Sequence, residues 1–230
     1  GIVKKSNFVL ISKQKKEVRE LIKKKLIKTK NVYYFGKDYK IINIKDKKFE
    51  FKFNKKKLII NKPKLNGYHQ IENASVALAF SEIMYQKKIR MNVKSINNAI
   101  KKTTWPGRLE LINYGNKKII LDGSHNIDGA KKLKDFLEIK QIKPVVIFGM
   151  LNNKKIDIFL KIIKKQIKKV LAIKIPNEKN AFYTNEIYEK CSLFSIDCLK
   201  INNFNAAVKY INKSDEKTFL VTGSLYLVGK

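Results

Sequence analysis

The sequence predicts an α/β protein whose carboxy-terminal part folds as a mostly parallel sheet wrapped by helices. After residue 117, short apolar runs alternate with segments of helical spacing, as expected when each parallel strand is followed by a crossover helix. The 230 residues are 44% hydrophobic, which is enough to bury a core. Trp105-Pro106-Gly107 is the clearest interruption of the chain, and it predicts a boundary between domains at 1–106 and 107–230.

The first predicted domain begins with a β-α step, formed by a strand at 7–12 and a helix at 14–27. Short alternating runs at 32–60, among them 32–35 and 49–53, indicate small antiparallel strands separated by turn-prone residues. Two helices without internal breakers complete this domain, at 70–85 and 93–102.

The second predicted domain alternates strands with helices. Its strands are predicted at 118–121, 145–148, 170–175 and 218–222, and its helices at 128–137, 156–167, 185–191 and 204–211. Because the carboxyl ends of parallel strands meet at one edge of a sheet, functional side chains are expected at that edge.

The formal net charge of +32 does not by itself indicate a nucleic-acid-binding protein. Lysine and arginine number 51, but only Arg19, Arg90 and Arg108 are arginine, whereas a nucleic-acid reader favours the planar guanidinium. Lysine also occurs in every segment, as a biased background composition would produce. We therefore expect no specific nucleic-acid partner and a basic surface that attracts anionic substrates.

Several features favour a cytoplasmic protein without a membrane partner. No apolar run approaches the roughly 20 residues of a membrane-spanning helix, and Gly1-Ile2-Val3-Lys4-Lys5 lacks the pattern of a signal peptide. Cys191 and Cys198 form no metal-ligand set, and two thiols suggest a reducing compartment. We expect no metal ligands within this chain.

The strongest candidate site is Asp122-Gly123-Ser124-His125-Asn126, which directly follows a buried strand. Asp122 falls at the carboxyl end of that strand, and His125 follows a glycine turn, so both side chains are expected at the ligand-binding crevice of the sheet. A structural interpretation stays open, in which Asp122 or Ser124 caps the next helix and His125 lies on the surface.

Three other segments offer candidate side chains. Arg108 follows the rigid Pro106-Gly107 corner, where its guanidinium could neutralise a phosphate or form an interdomain salt bridge. Asn73 opens a predicted helix, where its amide could read an adenine edge or cap the first turn. Ser224 follows the last strand, where it is either a ligand contact or part of a plain turn.

The four segments together resemble the folylpolyglutamate synthase and dihydrofolate synthase family, a branch of the Mur-type ligases. The resemblance spans nearly the whole chain and rests on the segments His69-Gln70 with Asn73-Ala74, Pro106-Gly107-Arg108, Asp122-Gly123-Ser124-His125-Asn126 and Gly223-Ser224-Leu225-Tyr226-Leu227-Val228-Gly229. One departure is Ser124, where the family usually has alanine.

The resemblance implies that residues 1–106 are the end of a P-loop-type central ATPase domain and that 107–230 form a smaller, Rossmann-like carboxy-terminal domain. Residues 1–5 resemble the stretch that follows a modified lysine in the family. The family's Gly-rich phosphate loop ends in Gly-Lys-Ser or Gly-Lys-Thr, which this sequence lacks. The resemblance places the Mg²⁺ ligands in the same preceding portion, so we expect the chain alone to be inactive.

The implied reaction uses ATP to activate a carboxylate as an acyl phosphate, which the amine of L-glutamate attacks. By resemblance, Asn73 contacts adenine, Arg108 the phosphates and Asp122 the ribose or nearby groups, while His125 lies near the phosphate and glutamate. Ser224 is a weaker candidate for the glutamate pocket. Arg108 and His125 are the expected catalytic residues, and the expected substrate partners are L-glutamate and a pterin or folate, in a monomeric protein.

Three alternatives stay open. A Mur-type ligase of peptidoglycan precursors would share Arg108 and the Asp-x-x-His-Asn pattern, but the Gly-Ser-Leu-Tyr-Leu ending fits the folate branch better. A basic nucleic-acid-binding module would concentrate lysine on one face. A regulatory or degenerate fragment would keep the fold without the activity.

Overall fold

The structure is a computed structural model that describes residues 8–89 and 92–229. The chain divides into two compact units. Unit 1 comprises the described residues within Gly1–Lys64 and Tyr68–Thr104, and unit 2 comprises those within Leu65–Gly67 and Trp105–Lys230. The main division thus follows Thr104. The interpretation of residues 1–5, and the first residue of the strand predicted at 7–12, lie outside the described residues.

Unit 1 combines a parallel strand pair, an antiparallel sheet and helices. The parallel pair is β1 (Val9–Ile11) and β2 (Val32–Tyr34), which α1 (Lys16–Lys25) connects. The antiparallel sheet has the order β3 (Tyr39–Ile44), β4 (Lys48–Phe53) and β5 (Lys56–Asn61). Two further helices follow, α2 (Tyr68–Gln86) and α3 (Val93–Lys102).

The core of unit 1 lies between the antiparallel sheet and α2. Phe49, Phe51 and Phe53 are buried at every second position of β4, as expected for a strand with one face on the core. They share a hydrophobic cluster with Leu78 and Ile83 of α2. Burying each phenylalanine stabilises the fold by about 1.5–3 kcal/mol relative to exposure.

The elements predicted for unit 1 are confirmed, with two corrections. The run 32–35 was predicted to be antiparallel, but β2 pairs in parallel with β1. The physical reason is α1, because a helical crossover returns the chain in its original direction. The second correction concerns α2, which begins at Tyr68 and therefore places Asn73 in its second turn instead of at its opening.

Unit 2 is built on a sheet of six strands in the order β10-β9-β8-β11-β7-β6. All neighbouring pairs are parallel except β6 with β7. The strands are β6 (Glu110–Tyr114), β7 (Lys117–Asp122), β8 (Val145–Phe148), β9 (Lys169–Ala172), β10 (Cys198–Lys200) and β11 (Thr218–Thr222). The helices are α4 (Ile127–Ile139), α5 (Ile156–Ile163), α6 (Thr184–Leu193), α7 (Phe204–Lys213) and α8 (Leu225–Val228), with a short 3₁₀ turn at Lys164–Gln166.

Helices cover both faces of this sheet. In β8, Val146 and Phe148 join the cluster that contains residues of α4, α5 and α6, whereas Val145 and Ile147 join the cluster with residues of α7 and α8. All four side chains of β8 are buried, which explains why this strand reads as a continuous apolar run.

The predicted α/β class with a mostly parallel sheet is confirmed. Strands β8 and β11 have the predicted bounds, but β6, β10 and α8 were not predicted. β6 was not predicted because its sequence does not alternate between apolar and polar residues. In the structure, Leu111 and Ile112 are both exposed. None of the helices within residues 8–89 and 92–229 is long and apolar enough to cross a membrane.

Candidate functional site

Three neighbouring strands of unit 2 end side by side at one edge of the sheet, here called the carboxyl edge. β7 ends at Asp122, β8 at Phe148 and β11 at Thr222, and Thr222 lies in register with both of the others. Each strand end is followed by a glycine, namely Gly123, Gly149 and Gly223. The carboxyl edge is the place where parallel sheets bind ligands.

Backbone contacts hold the loops of the carboxyl edge close together. Gly223 N donates to Ser124 O at 3.1 Å, and Gly123 N donates to Gly107 O at 2.8 Å. A Cβ atom at Gly123 would lie 2.7 Å from Leu225 Cγ, so any other residue at the start of this turn would displace the Leu225 side chain. The segments at Gly107, Gly123–Ser124 and Gly223 are therefore tied to one another around the ends of β7 and β11.

Asp122 is 4% exposed and links two parts of the predicted site. Its Oδ2 accepts from Leu109 N at 3.1 Å and its Oδ1 accepts from Ser124 N at 3.1 Å. Burial raises the pKa of the Asp122 carboxyl, while hydrogen bonds from Ser124 and Leu109 and the charge of Arg108 act in the opposite direction. Asp122 thus ties the segment after Arg108 to the turn that precedes His125.

Arg108 is half-buried. On its amino-terminal side, its backbone N donates a hydrogen bond of 3.3 Å to Trp105 O. Within the described residues of unit 2, its guanidinium forms no ion pair with a carboxylate within 4.0 Å. Its charge does act on the buried Asp122. A half-buried guanidinium without a bound carboxylate leaves a planar set of donors available for an anionic ligand.

His125 is half-buried, and one of its ring nitrogens is engaged. Nδ1 lies 2.8 Å from Gly123 O, and because a carbonyl oxygen only accepts, Nδ1 must carry the hydrogen. In the tautomer that carries its hydrogen on Nδ1, Nε2 is the nitrogen that can accept a hydrogen bond. The cap of α4 is Asn126, whose Oδ1 accepts from Gly129 N at 2.8 Å, so neither Asp122 nor Ser124 fills that structural role.

Ser224 has a structural role in unit 2. It is 3% exposed, and its Oγ accepts from Tyr226 N at 3.1 Å as the cap of α8. Asn73 lies in unit 1, where it is exposed and its Nδ2 donates to Gln70 Oε1 at 3.0 Å. The structure therefore brings Arg108, Asp122 and His125 together through the bonds of Asp122.

Two residues of this region were not predicted. Leu109 has φ of +49° and is 2% exposed, and Asn66 Nδ2 donates to Leu109 O at 2.8 Å. A leucine gives no sequence signal for a left-handed backbone. Asn66 lies next to Gly67, which only suggests a turn, and its partner stands 43 residues later.

Among the residues that the structure describes, no group of three or more His, Cys, Asp or Glu side chains is arranged to hold a metal ion.

Comparison with known proteins identifies relatives of the chain. The family model described as dihydrofolate synthetase, C-terminal domain, matches residues 108–230. The dihydrofolate synthase/folylpolyglutamate synthase of Bacillus subtilis is 24% identical over 185 residues, which cover 78% of this chain and 42% of that protein.

Solved structures share the fold. The folylpolyglutamate synthase of Thermotoga maritima superposes with a TM-score of 0.79 at 24% identity, over 100% of this chain and 54% of that one. A bifunctional folylpolyglutamate synthase/dihydrofolate synthase with Mn, AMPPNP and L-glutamate bound has a TM-score of 0.74 at 18% identity, over 91% of this chain and 49% of that one. The chain thus spans about half the length of these relatives, 42% to 54%.

Proposed function

Because the chain belongs to the dihydrofolate synthetase C-terminal domain family, we propose that it is the carboxy-terminal part of an ATP-dependent ligase that joins L-glutamate to dihydropteroate, to a folate, or to both. ATP phosphorylates the acceptor carboxylate and leaves as ADP. The glutamate amine then attacks the acyl phosphate, forming an amide and releasing phosphate. The family match supports this branch over a peptidoglycan-precursor ligase.

The observation that carries the proposal is the arrangement around Arg108. Its backbone is tied to the carboxyl edge, whereas its guanidinium has no carboxylate partner within 4.0 Å in the part of unit 2 that the structure describes. A fixed cation of this kind suits the transferring phosphoryl group, which spreads its charge over several oxygens. In the proposal, Arg108 binds that group and stabilises it most strongly in the transition state.

The other site residues have complementary roles in the proposal. His125 Nε2 faces the phosphate or the incoming glutamate, where an unprotonated nitrogen can accept from the amine. Asp122 stays in the nucleotide site near the ribose, and its two backbone contacts also hold Arg108 and His125 in place. Ser224 contributes to the glutamate pocket through its O–H, since its Oγ lone pair already caps α8. Asn73 contributes an adenine contact from unit 1.

The proposal includes the organisation of the longer protein. Unit 1 is the end of a central ATPase domain, and unit 2 is the carboxy-terminal domain. The phosphate loop and the ligands of Mg²⁺ lie in the preceding half, which we call the phosphate-loop half. The complete ligase, meaning this chain joined to its phosphate-loop half, is a cytoplasmic monomer. AMPPNP, Mn and L-glutamate bound in a relative support nucleotide, divalent metal and glutamate as its ligands.

The first test measures ADP release by the purified 230-residue chain with ATP, Mg²⁺, L-glutamate and dihydropteroate or tetrahydrofolate. We expect none above background, because no Gly-Lys-Ser or Gly-Lys-Thr phosphate loop exists in this sequence. The complete ligase is expected to release ADP only when glutamate and a pterin or folate are both present. Glutamate-dependent ADP release by the 230-residue chain alone would contradict the expected need for the phosphate-loop half. If the complete ligase released no ADP in response to glutamate, the proposed ligase function would be wrong.

A second test concerns Asn73. Asn73→Ala in the complete ligase is expected to raise the apparent KM for ATP about 10-fold with little change in kcat, because an adenine contact is equally strong in the ground and transition states. Asn98→Ala is the matched control, since Asn98 is an exposed asparagine on α3 of the same unit. A loss confined to kcat would assign Asn73 to the chemical step instead.

A further inference from the structure

Leu109, the residue directly after Arg108, adopts a backbone conformation that leucine rarely adopts. Its φ is +49°, in the left-handed region where Cβ crowds the following carbonyl. Its side chain is 2% exposed and packs in the cluster with Ile120 and Leu220. A strained residue persists only where its surroundings determine its conformation, and such residues concentrate at functional sites.

Side chains hold both backbone groups of Leu109. Asp122 Oδ2 accepts from its N–H at 3.1 Å, and Asn66 Nδ2 donates to its C=O at 2.8 Å. Asn66 belongs to Leu65–Gly67, a short segment of unit 2 whose neighbours in sequence on both sides belong to unit 1. The contact therefore spans 43 residues of chain and joins two segments of unit 2.

The segment before Leu109 is fixed in the same way. Gly107 N donates to Glu110 Oε2 at 2.9 Å, and Gly107 O accepts from Gly123 N at 2.8 Å. The backbone on both sides of Arg108 is thus hydrogen-bonded, while its guanidinium has no carboxylate within 4.0 Å among the described residues of unit 2. This is the arrangement expected when a scaffold orients one side chain for a ligand.

We propose that Asn66 is a positioning residue for Arg108, acting by holding Leu109 in its left-handed conformation together with Asp122. Without the Asn66 amide, the Leu109 carbonyl loses its donor, and the strained peptide can relax toward the extended conformation of β6. Relaxation would turn the preceding peptide and move the Arg108 side chain. This inference rests on the proposed role of Arg108 for its consequence in catalysis, but the contact itself can be tested independently.

The first arm of the test uses the 230-residue chain and the variant Asn66→Asp, which keeps the shape of the side chain and replaces its donor with an acceptor. The sequence contains three arginines, so NMR of ¹⁵N-labelled arginine side chains gives few signals, and loss of one in Arg108→Lys assigns Arg108. Asn113→Asp is the matched control, because Asn113 is exposed on β6 and the charge change is the same.

We expect Asn66→Asp to shift the Arg108 Nε–Hε signal and, in a uniformly ¹⁵N-labelled sample, the Leu109 amide signal, and to leave the Arg19 signal in place. The control is expected to move neither Arg108 nor Leu109. If Asn66→Asp lowers the melting temperature yet leaves the Arg108 signal where it was, Asn66 is only structural and the proposal is wrong. Asn66→Ala, which removes the donor without adding charge, serves as the second variant if the aspartate prevents folding.

The second arm measures kcat in the complete ligase at saturating substrates. Asn66→Asp is expected to lower kcat about 10- to 100-fold, because small displacements of a reacting geometry have effects of this size. Combined with Arg108→Ala it should add no further loss. If the double variant instead lost kcat by the product of the two single losses, the two residues would act independently and the positioning role of Asn66 would be wrong. A complete ligase without glutamate ligation would contradict the proposed function alone, since the NMR arm would still decide the contact.

Discussion

Arg108→Ala in the complete ligase is expected to lower kcat by about 10²- to 10³-fold at saturating ATP and glutamate, the range found when one preorganised donor to a transition state is removed. Within residues 105–229 the guanidinium has no ion-paired carboxylate, so we expect little stability to depend on it. Its backbone is held whether or not the side chain is present. The variant should therefore keep its melting temperature while single-turnover rates of acyl phosphate formation fall.

Two companion variants separate charge from geometry. Arg108→Lys keeps the charge but loses the planar fork, and we expect it to recover only part of the lost kcat. Arg19→Ala is the control for loss of an arginine, since Arg19 lies in unit 1, where its guanidinium is 5.6 Å from the Tyr34 ring. An Arg108→Ala enzyme with unchanged kcat and a lowered melting temperature would show that the residue acts as a salt bridge and that the proposed function lacks its main support.

The sequence was sufficient where a single local pattern determines the structure. β8 reads as Val145-Val146-Ile147-Phe148 because both faces of a central parallel strand are buried, and its predicted bounds are confirmed. α3 also has its predicted bounds, since Asn92 caps its start through Lys94 N and apolar residues recur at helical spacing. The predicted resemblance to the folylpolyglutamate synthase and dihydrofolate synthase family is likewise confirmed.

The sequence was insufficient where the structure depends on contacts between distant segments. The parallel pairing of β1 with β2 follows from the α1 crossover and not from the residues of β2, which resemble any short strand. The candidate site was predicted through Asp122 and Arg108 because their residue types carry chemistry. Asn66 and Leu109 were missed, because a φ of +49° and an amide contact across 43 residues leave no pattern in either segment.

Gly223 shows how closely the loops of the carboxyl edge approach one another. Its φ is +104°, a conformation that residues with a Cβ rarely adopt. A Cβ atom there would lie 2.5 Å from Gly149 O and 2.9 Å from Phe148 Cε2. Neither neighbour can withdraw easily, since Gly149 N is hydrogen-bonded to Thr222 O and Phe148 is fully buried.

Gly223→Ala is therefore expected to lower the free energy of unfolding by about 3–5 kcal/mol, combining backbone strain with overpacking against a fixed carbonyl. Gly115→Ala separates the two causes, because Gly115 also has a positive φ, +55°, but a Cβ there has nothing within 4 Å. The control should cost only about 1–2 kcal/mol, the backbone contribution alone. Urea denaturation of the 230-residue chain, followed by a probe in unit 2, measures both values.

The backbone N–H of Gly223 also donates to Ser124 O, next to His125. Gly223→Ala should therefore also shift the NMR signals of the His125 ring, which Gly115→Ala should leave unchanged. Equal losses in the two variants would mean that the carboxyl edge yields to an added methyl group, and the rigid placement on which the proposed role of Arg108 depends would then be wrong.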